Sequence, residues 1–177
     1  MATATIYKNF TQIIEHKSLL LITKDIQEGK YSKEVEKIRK CVQDGNKKEV
    51  DKLKKQLPAF TASGKFEDGR TAEKLVQYSG FIILDLDKLN EQELENAFNI
   101  ARLAVYTFCC FRSPSGNGLK ILVEVDTDAE HHVAAYNQVA EYYEQALNLD
   151  IDRSGKDIPR LCFYSGKNGE IDHLKTI

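Results

Sequence analysis

The stretch FIILDLDKL, Phe81 to Leu89, constrains this chain more than any other. Four large apolar residues precede Asp85 and only Leu86 separates it from Asp87, so Phe81–Asp87 reads as a buried strand that carries two acids. Side chains alternate along a strand. Asp85 and Asp87 therefore share one face, roughly 7 Å apart, while Leu84 and Leu86 turn to the other. Like charges in an apolar setting repel unless a cation sits between them. Magnesium and manganese prefer such oxygen ligands, and paired ions held on carboxylates catalyse phosphoryl transfer. A strand running out into a polar loop explains a lone D-x-D equally well, so the motif needs company.

At 177 residues, 42% hydrophobic and 29% charged, the chain has the length and composition of one soluble domain, residues 1–177. No apolar run approaches membrane-spanning length, and MATATIYKNF lacks a signal-peptide layout, so a cytoplasmic protein with no membrane partner is expected. Cys41, Cys109, Cys110 and Cys162 form no C-x-x-C and no ligand spacing with the four histidines, which argues for buried free thiols over a zinc site. The net charge of −2 excludes a general polycation. Basic residues concentrate between Lys30 and Gln56, ten against five acids, and read as two amphipathic helices with their charges in water rather than as a nucleic-acid-binding arm.

Residues 1–57 read as mainly helical. Ser32 is the expected N-cap of SKEVEKIRKCVQD, with Val35, Ile38 and Val42 on one stripe, and KKEVDKLKKQL follows with Val50, Leu53 and Leu57. Residues 58–177 change rhythm. After an extended, turn-rich stretch up to Arg70 come the strand at Phe81 and the helix EQELENAFNIARL, with Leu94, Phe98 and Leu103 inward. A strand Ala104–Arg112, a turn SPSGNG and a strand LKILVEV follow, then a long helix from near Asp128, and finally two short extended pieces in LDIDRSGKDIPRLCFYSG. That β-α-β-β-α-β order predicts an α+β, ferredoxin-like (RRM-like, split βαβ) antiparallel sheet with helices on one face and an added helical N-terminal region. The other face stays open for a site or a further layer.

Two more stretches carry chemistry. In FRSPSGNGLK, Gly116 and Gly118 can take positive φ and let backbone N–H groups converge on an anion, Ser115 adds a hydroxyl, and Lys120 adds a point charge. A hairpin turn wants the same residues for its own sake. In LDIDRSGKDIPRLCF, Asp150 and Asp152 repeat the alternating acid pattern. A third carboxylate there can complete a metal cluster, and Arg160 can clamp phosphate, although a charged surface loop is again sufficient.

Taken together, the motifs YSGFIILDLDKL, FRSPSGNGLKILVEV and DRSGKDIPRLCF, with LPAFTASGKF before them, resemble the VirE N-terminal (BT4734-like) family over roughly residues 57 to 165. That family is placed within the archaeo-eukaryotic primase, or primase-polymerase, superfamily. The resemblance implies that Asp85, Asp87 and Asp152 ligate Mg2+ or Mn2+, with Asp150 the rival for the third place. It further implies that Ser115, Gly116, Gly118 and Lys120 hold nucleotide phosphates, and that Arg160 contacts phosphate or locks Asp157. The superfamily usually has histidine where Lys120 stands, and lysine cannot share its titration near neutrality.

The expected function is thus metal-dependent nucleotidyl transfer from nucleoside triphosphates in DNA replication, including that of mobile elements. The implied partners are single-stranded or primed DNA template and a helicase or second catalytic domain. A nucleotide- or nucleic-acid-binding module without turnover is the alternative. A haloacid-dehalogenase-type phosphatase, with Asp85 as nucleophile and Asp87 as general acid, is a third class. It would want a long parallel sheet that few residues remain to build.

Overall fold

A computed structural model describes residues 2–167 and 172–174. Residues 2–18 are not helical. β1 (Thr3–Lys8) and β2 (Gln12–Ser18) form an antiparallel hairpin whose turn uses positive φ at Asn9 and Phe10. Ala4, Thr5, Ile6 and Tyr7 are all buried, so a β-branched and aromatic run covered on both faces prevails over helix formation. α1 (Leu19–Gln27), α2 (Ser32–Gln43) and α3 (Lys47–Lys54) supply the helices expected in this part. Ser32 opens α2, but its hydroxyl accepts the Lys167 N–H at 2.9 Å instead of capping the helix. Val35, Ile38, Val50 and Leu57 are buried together, while most of the lysines on α2 and α3 remain in water.

The remaining strands are β3 (Ala59–Thr61), β4 (Gly64–Phe66), β5 (Leu75–Tyr78), β6 (Phe81–Leu86), β7 (Thr107–Arg112), β8 (Leu119–Glu124), β9 (Leu161–Phe163) and β10 (Asp172–Leu174). Between them lie α4 (Glu91–Leu103) and α5 (His132–Leu147). The molecule is α+β, and its strand pairs among the described residues are all antiparallel. One sheet runs β10-β7-β8-β6, a second β2-β1-β3-β9, and β4-β5 is a separate ribbon.

β6 is apolar on both faces because both faces are covered. Ile82, Leu84 and Leu86 pack with α4 and α5 through Leu94, Phe98, Tyr136 and Tyr143. Phe81 and Ile83 pack the opposite way, against Phe60, Phe111, Cys162 and Tyr164, so the face left open by the sequence carries a second sheet. Each large side chain buried here contributes roughly 1.5–3 kcal/mol. A one-residue slip of β6 would exchange the two sets and drive Asp85 into the helix layer, which fixes where the acids emerge.

Three expectations are corrected. Leu103 is 76% exposed and Ala101 takes the inward place, because nine residues beyond Leu94 is the opposite face of a 3.6-residue helix. α5 begins at His132, and Asp128 instead accepts the His131 N–H at 2.9 Å in the turn before it. The piece LCF does not join the sheet of β6. It is β9, paired to β3 with Phe60 opposite Cys162. The outer edge of β6 is met instead by residue 152, whose N–H donates to the Asp85 carbonyl at 2.9 Å. No helix among the described residues is long and apolar enough to cross a membrane.

Candidate metal centre and phosphate turn

Asp85 lies near the end of β6 and Asp87 just beyond it, and the loop after α5 brings Asp152 beside them. One oxygen from each of the three carboxylates lies within 4.8 Å of the others. Asp150 is exposed and outside this group, so it is Asp152, and not its rival, that lies beside the pair. Several bonds hold Asp152 in place. Its carbonyl accepts from the Tyr136 hydroxyl at 3.0 Å, and its carboxylate accepts from Ser154 N–H at 2.9 Å and Ser154 Oγ at 2.8 Å. Next to it Arg153 pairs with Glu144 of α5. The Ser154 hydrogen bonds, the backbone one first, hold the Asp152 carboxyl below the usual carboxylate range.

Lys120 stands directly across from Asp85 in the β6–β8 register, and its ammonium pairs with Asp85 Oδ2. The other oxygen, Asp85 Oδ1, is buried with no hydrogen-bond partner among the described residues. Burial raises the Asp85 pKa, Lys120 opposes that shift, and Asp87 and Asp152 add to it. Three hard oxygen donors, one of them orphaned and destabilised as an anion, fit a divalent cation such as Mg2+ or Mn2+.

The glycine turn runs beside these acids. Leu89 N–H donates to the Asn117 carbonyl at 2.9 Å, tying the chain after Asp87 to the turn. Gly116 has φ +84°, as expected, but its N–H donates to Ser113 O at 2.9 Å and closes the turn instead of facing an anion. Gly118 has no positive φ; its requirement is space. A Cβ there would stand 2.6 Å from the Leu86 carbonyl oxygen and 3.1 Å from both Asp87 Oδ1 and Ser113 Oγ. Gly118→Ala is therefore expected to lower stability by roughly 1–3 kcal/mol, as overpacking does, measured by urea unfolding. Ser115 is half-buried in the turn. Arg160 reaches Ser154 O at 3.4 Å and Ser154 Oγ at 3.3 Å and lies 3.7 Å from Asp152 Oδ2, so it braces the third acid. The Asp157 main-chain carbonyl accepts the Arg160 backbone N–H at 2.9 Å, and the guanidinium turns instead to residues 152 and 154, so the expected lock on Asp157 is replaced by one on those two.

Sequence reading missed two basic residues at this site. Arg39 of α2 donates to Ser113 O at 3.2 Å, and its side chain comes within 3.4 Å of where a Cβ on Gly116 would be. Lys54 of α3 is half-buried. Its pKa is lowered first by burial and then by Lys120, while Asp87, Asp51 and Asp85 pull the other way, so its charge interacts with those of the acids. Both residues lie inside the basic stretch 30–56, but nothing in its spacing separates them from their solvated neighbours. The cysteines match expectation as free thiols. Cys162, at the base of the site, has its thiol pushed up to about 12 by burial, so it stays protonated and unreactive.

Fold and site together define an α+β domain with three clustered carboxylates beside a glycine turn. Residues 52–167 match the family of BT4734-like N-terminal domains, and the chain belongs to that family. No curated protein and no solved structure matches it.

Proposed function

We propose that the chain is a primase-polymerase-type nucleotidyltransferase that uses Mg2+ or Mn2+ to join nucleoside triphosphates on a DNA template. The observation that carries this reading is the meeting of Asp85, Asp87 and Asp152 within 4.8 Å, beside Lys120 and the glycine turn. Those three carboxylates would hold the metal, which when bound would activate the attacking 3′-hydroxyl and offset charge on the departing pyrophosphate. The rest falls to side chains of the chain itself. Lys120 and Arg160 offer positive charge, Ser115 offers a hydroxyl, and Arg39 holds the turn that presents it. Asp87, the exposed member of the triad, faces the incoming ligand.

The run β6-α4-β7-β8-α5, with β8 between β6 and β7, supports a split βαβ core whose fourth place is filled by the Asp152 loop. Replication of DNA, a mobile element's included, and cooperation with a helicase or second catalytic domain follow from the same reading. A cytoplasmic location is part of it. The antiparallel pairing of β6 with β8 is not the parallel setting that a dehalogenase-type phosphatase needs.

The test is incorporation of labelled nucleoside triphosphates on primed and unprimed single-stranded DNA with Mg2+ or Mn2+. Metal-dependent extension is expected. Nucleotide or DNA binding with a steep salt dependence but no product under any metal would favour the non-catalytic binding module instead.

A further inference from the structure

Lys120 sits where a metal-site account would least want a cation. It is on the central strand β8, locked in register opposite Asp85, and both side chains are mostly covered, 14% and 17% exposed. Among the described residues its ammonium pairs with Asp85 Oδ2, while Oδ1 is buried and has no hydrogen-bond partner. Two further carboxylates stand within 4.8 Å, and Arg160 lies 3.7 Å from Asp152 Oδ2, so Lys120 is the cation set against Asp85 itself, the position a divalent ion on the three carboxylates would share. The lysine stem is flexible and ends in a point charge. It can leave Asp85 without any movement of β8, and the turn carrying Ser115 and Gly116 is only a few residues away on the same strand entry.

We propose that Lys120 is an exchangeable counter-ion. Its ammonium neutralises Asp85 until a divalent cation takes that carboxylate, and then turns to a phosphate of the nucleotide. The inference rests on the nucleotidyltransferase reading and adds a coupling to it. Metal binding frees the phosphate ligand, and phosphate binding clears the metal ligand, so each ligand tightens the other by the same factor. A side chain that served only to hold the fold would, on removal, weaken both ligands together. An exchangeable counter-ion gives opposite signs.

The experiment is isothermal titration of the full chain with Mn2+ alone, for the wild type, Lys120→Met, Lys120→Gln, Lys120→Arg and Asp85→Asn. A fluorescent nucleoside triphosphate is then titrated at saturating Mn2+. With the competing charge gone, Lys120→Met and Lys120→Gln are expected to bind Mn2+ at least about tenfold more tightly and the nucleotide about tenfold more weakly. Lys120→Arg keeps the charge and is expected to hold Mn2+ as the wild type does. The glutamine variant can still donate a hydrogen bond to Asp85, so it covers the case in which Lys120→Met does not fold. If Mn2+ binds the wild type through Asp85 and the neutral variants bind it equally or more weakly, the exchange is wrong while the metal site stands. If neither the wild type nor the neutral variants bind Mn2+, the metal reading itself falls and the exchange with it.

Discussion

Asp85→Asn is expected to weaken Mn2+ binding by at least about a hundredfold and to cut nucleotide incorporation at least as much, with cooperative unfolding retained. Loss of an outer-shell partner alone typically costs 10–100-fold in metal affinity, and Asp85 stands at the centre of the donor set. It contributes the orphaned oxygen, its backbone carbonyl receives the Asp152 N–H at 2.9 Å, and its side chain faces Lys120. Asparagine keeps the shape and the main-chain bond, so Asp152 stays in place. Only the charge leaves. Asp87→Asn should follow the same pattern, because Asp87 is exposed. The measurements are titration calorimetry with Mn2+, primer extension, and urea unfolding as the control for folding.

Acidification from about pH 6.5 to about pH 4 is expected to remove about 3 kcal/mol of stability through one residue, His132. This histidine opens α5 at 1% exposure, with Nδ1 2.8 Å from the Tyr78 hydroxyl and its ring hydrogen-bonded to the Lys156 backbone. Burial lowers its pKa from 6.5 to about 4. The unfolded chain therefore takes up a proton below pH 6.5 that the folded chain refuses until about pH 4. Protonation favours unfolding across that window, and the full contribution is present above it. Urea midpoints measured from pH 7 to pH 4 should fall for the wild type and stay flatter for His132→Gln. Asp85 has the opposite sign, since its raised folded pKa favours folding on acidification, so the difference between the two proteins is the quantity to read. An equal slope in both would exclude His132 as the origin.

How much of this was legible in the sequence varies with the range of the interaction. FIILDLDKL fixed a strand and a shared face for two acids because alternation is local, and the structure places Leu84 and Leu86 in the helix layer as expected. The hairpin at SPSGNG and the two long helices were legible for the same reason. β1 at Thr3–Lys8 was not, since its burial comes not only from α1, which follows the hairpin, but from β3 and the ribbon, far along the chain. The partner of LCF was equally hidden. Three extended residues do not say which edge they join, and the edge of β6 was already taken by the Asp152 N–H. At the site, the acids and Lys120 could be named from the sequence. Arg39, Lys54 and Tyr136 could not, because only tertiary packing turns a surface lysine, an arginine and one helical tyrosine toward residues 85, 113 and 152.

The central claim is that Asp85, Asp87 and Asp152 form one divalent-metal centre beside a phosphate site. Anomalous diffraction from crystals soaked with Mn2+ and a non-hydrolysable nucleoside triphosphate tests it most directly. Manganese bonded to oxygens of all three carboxylates is expected. The Lys120 ammonium is also expected to be displaced from Asp85 onto a phosphate oxygen. Strong anomalous density elsewhere with none at the triad, or nucleotide bound away from the glycine turn, would contradict the claim.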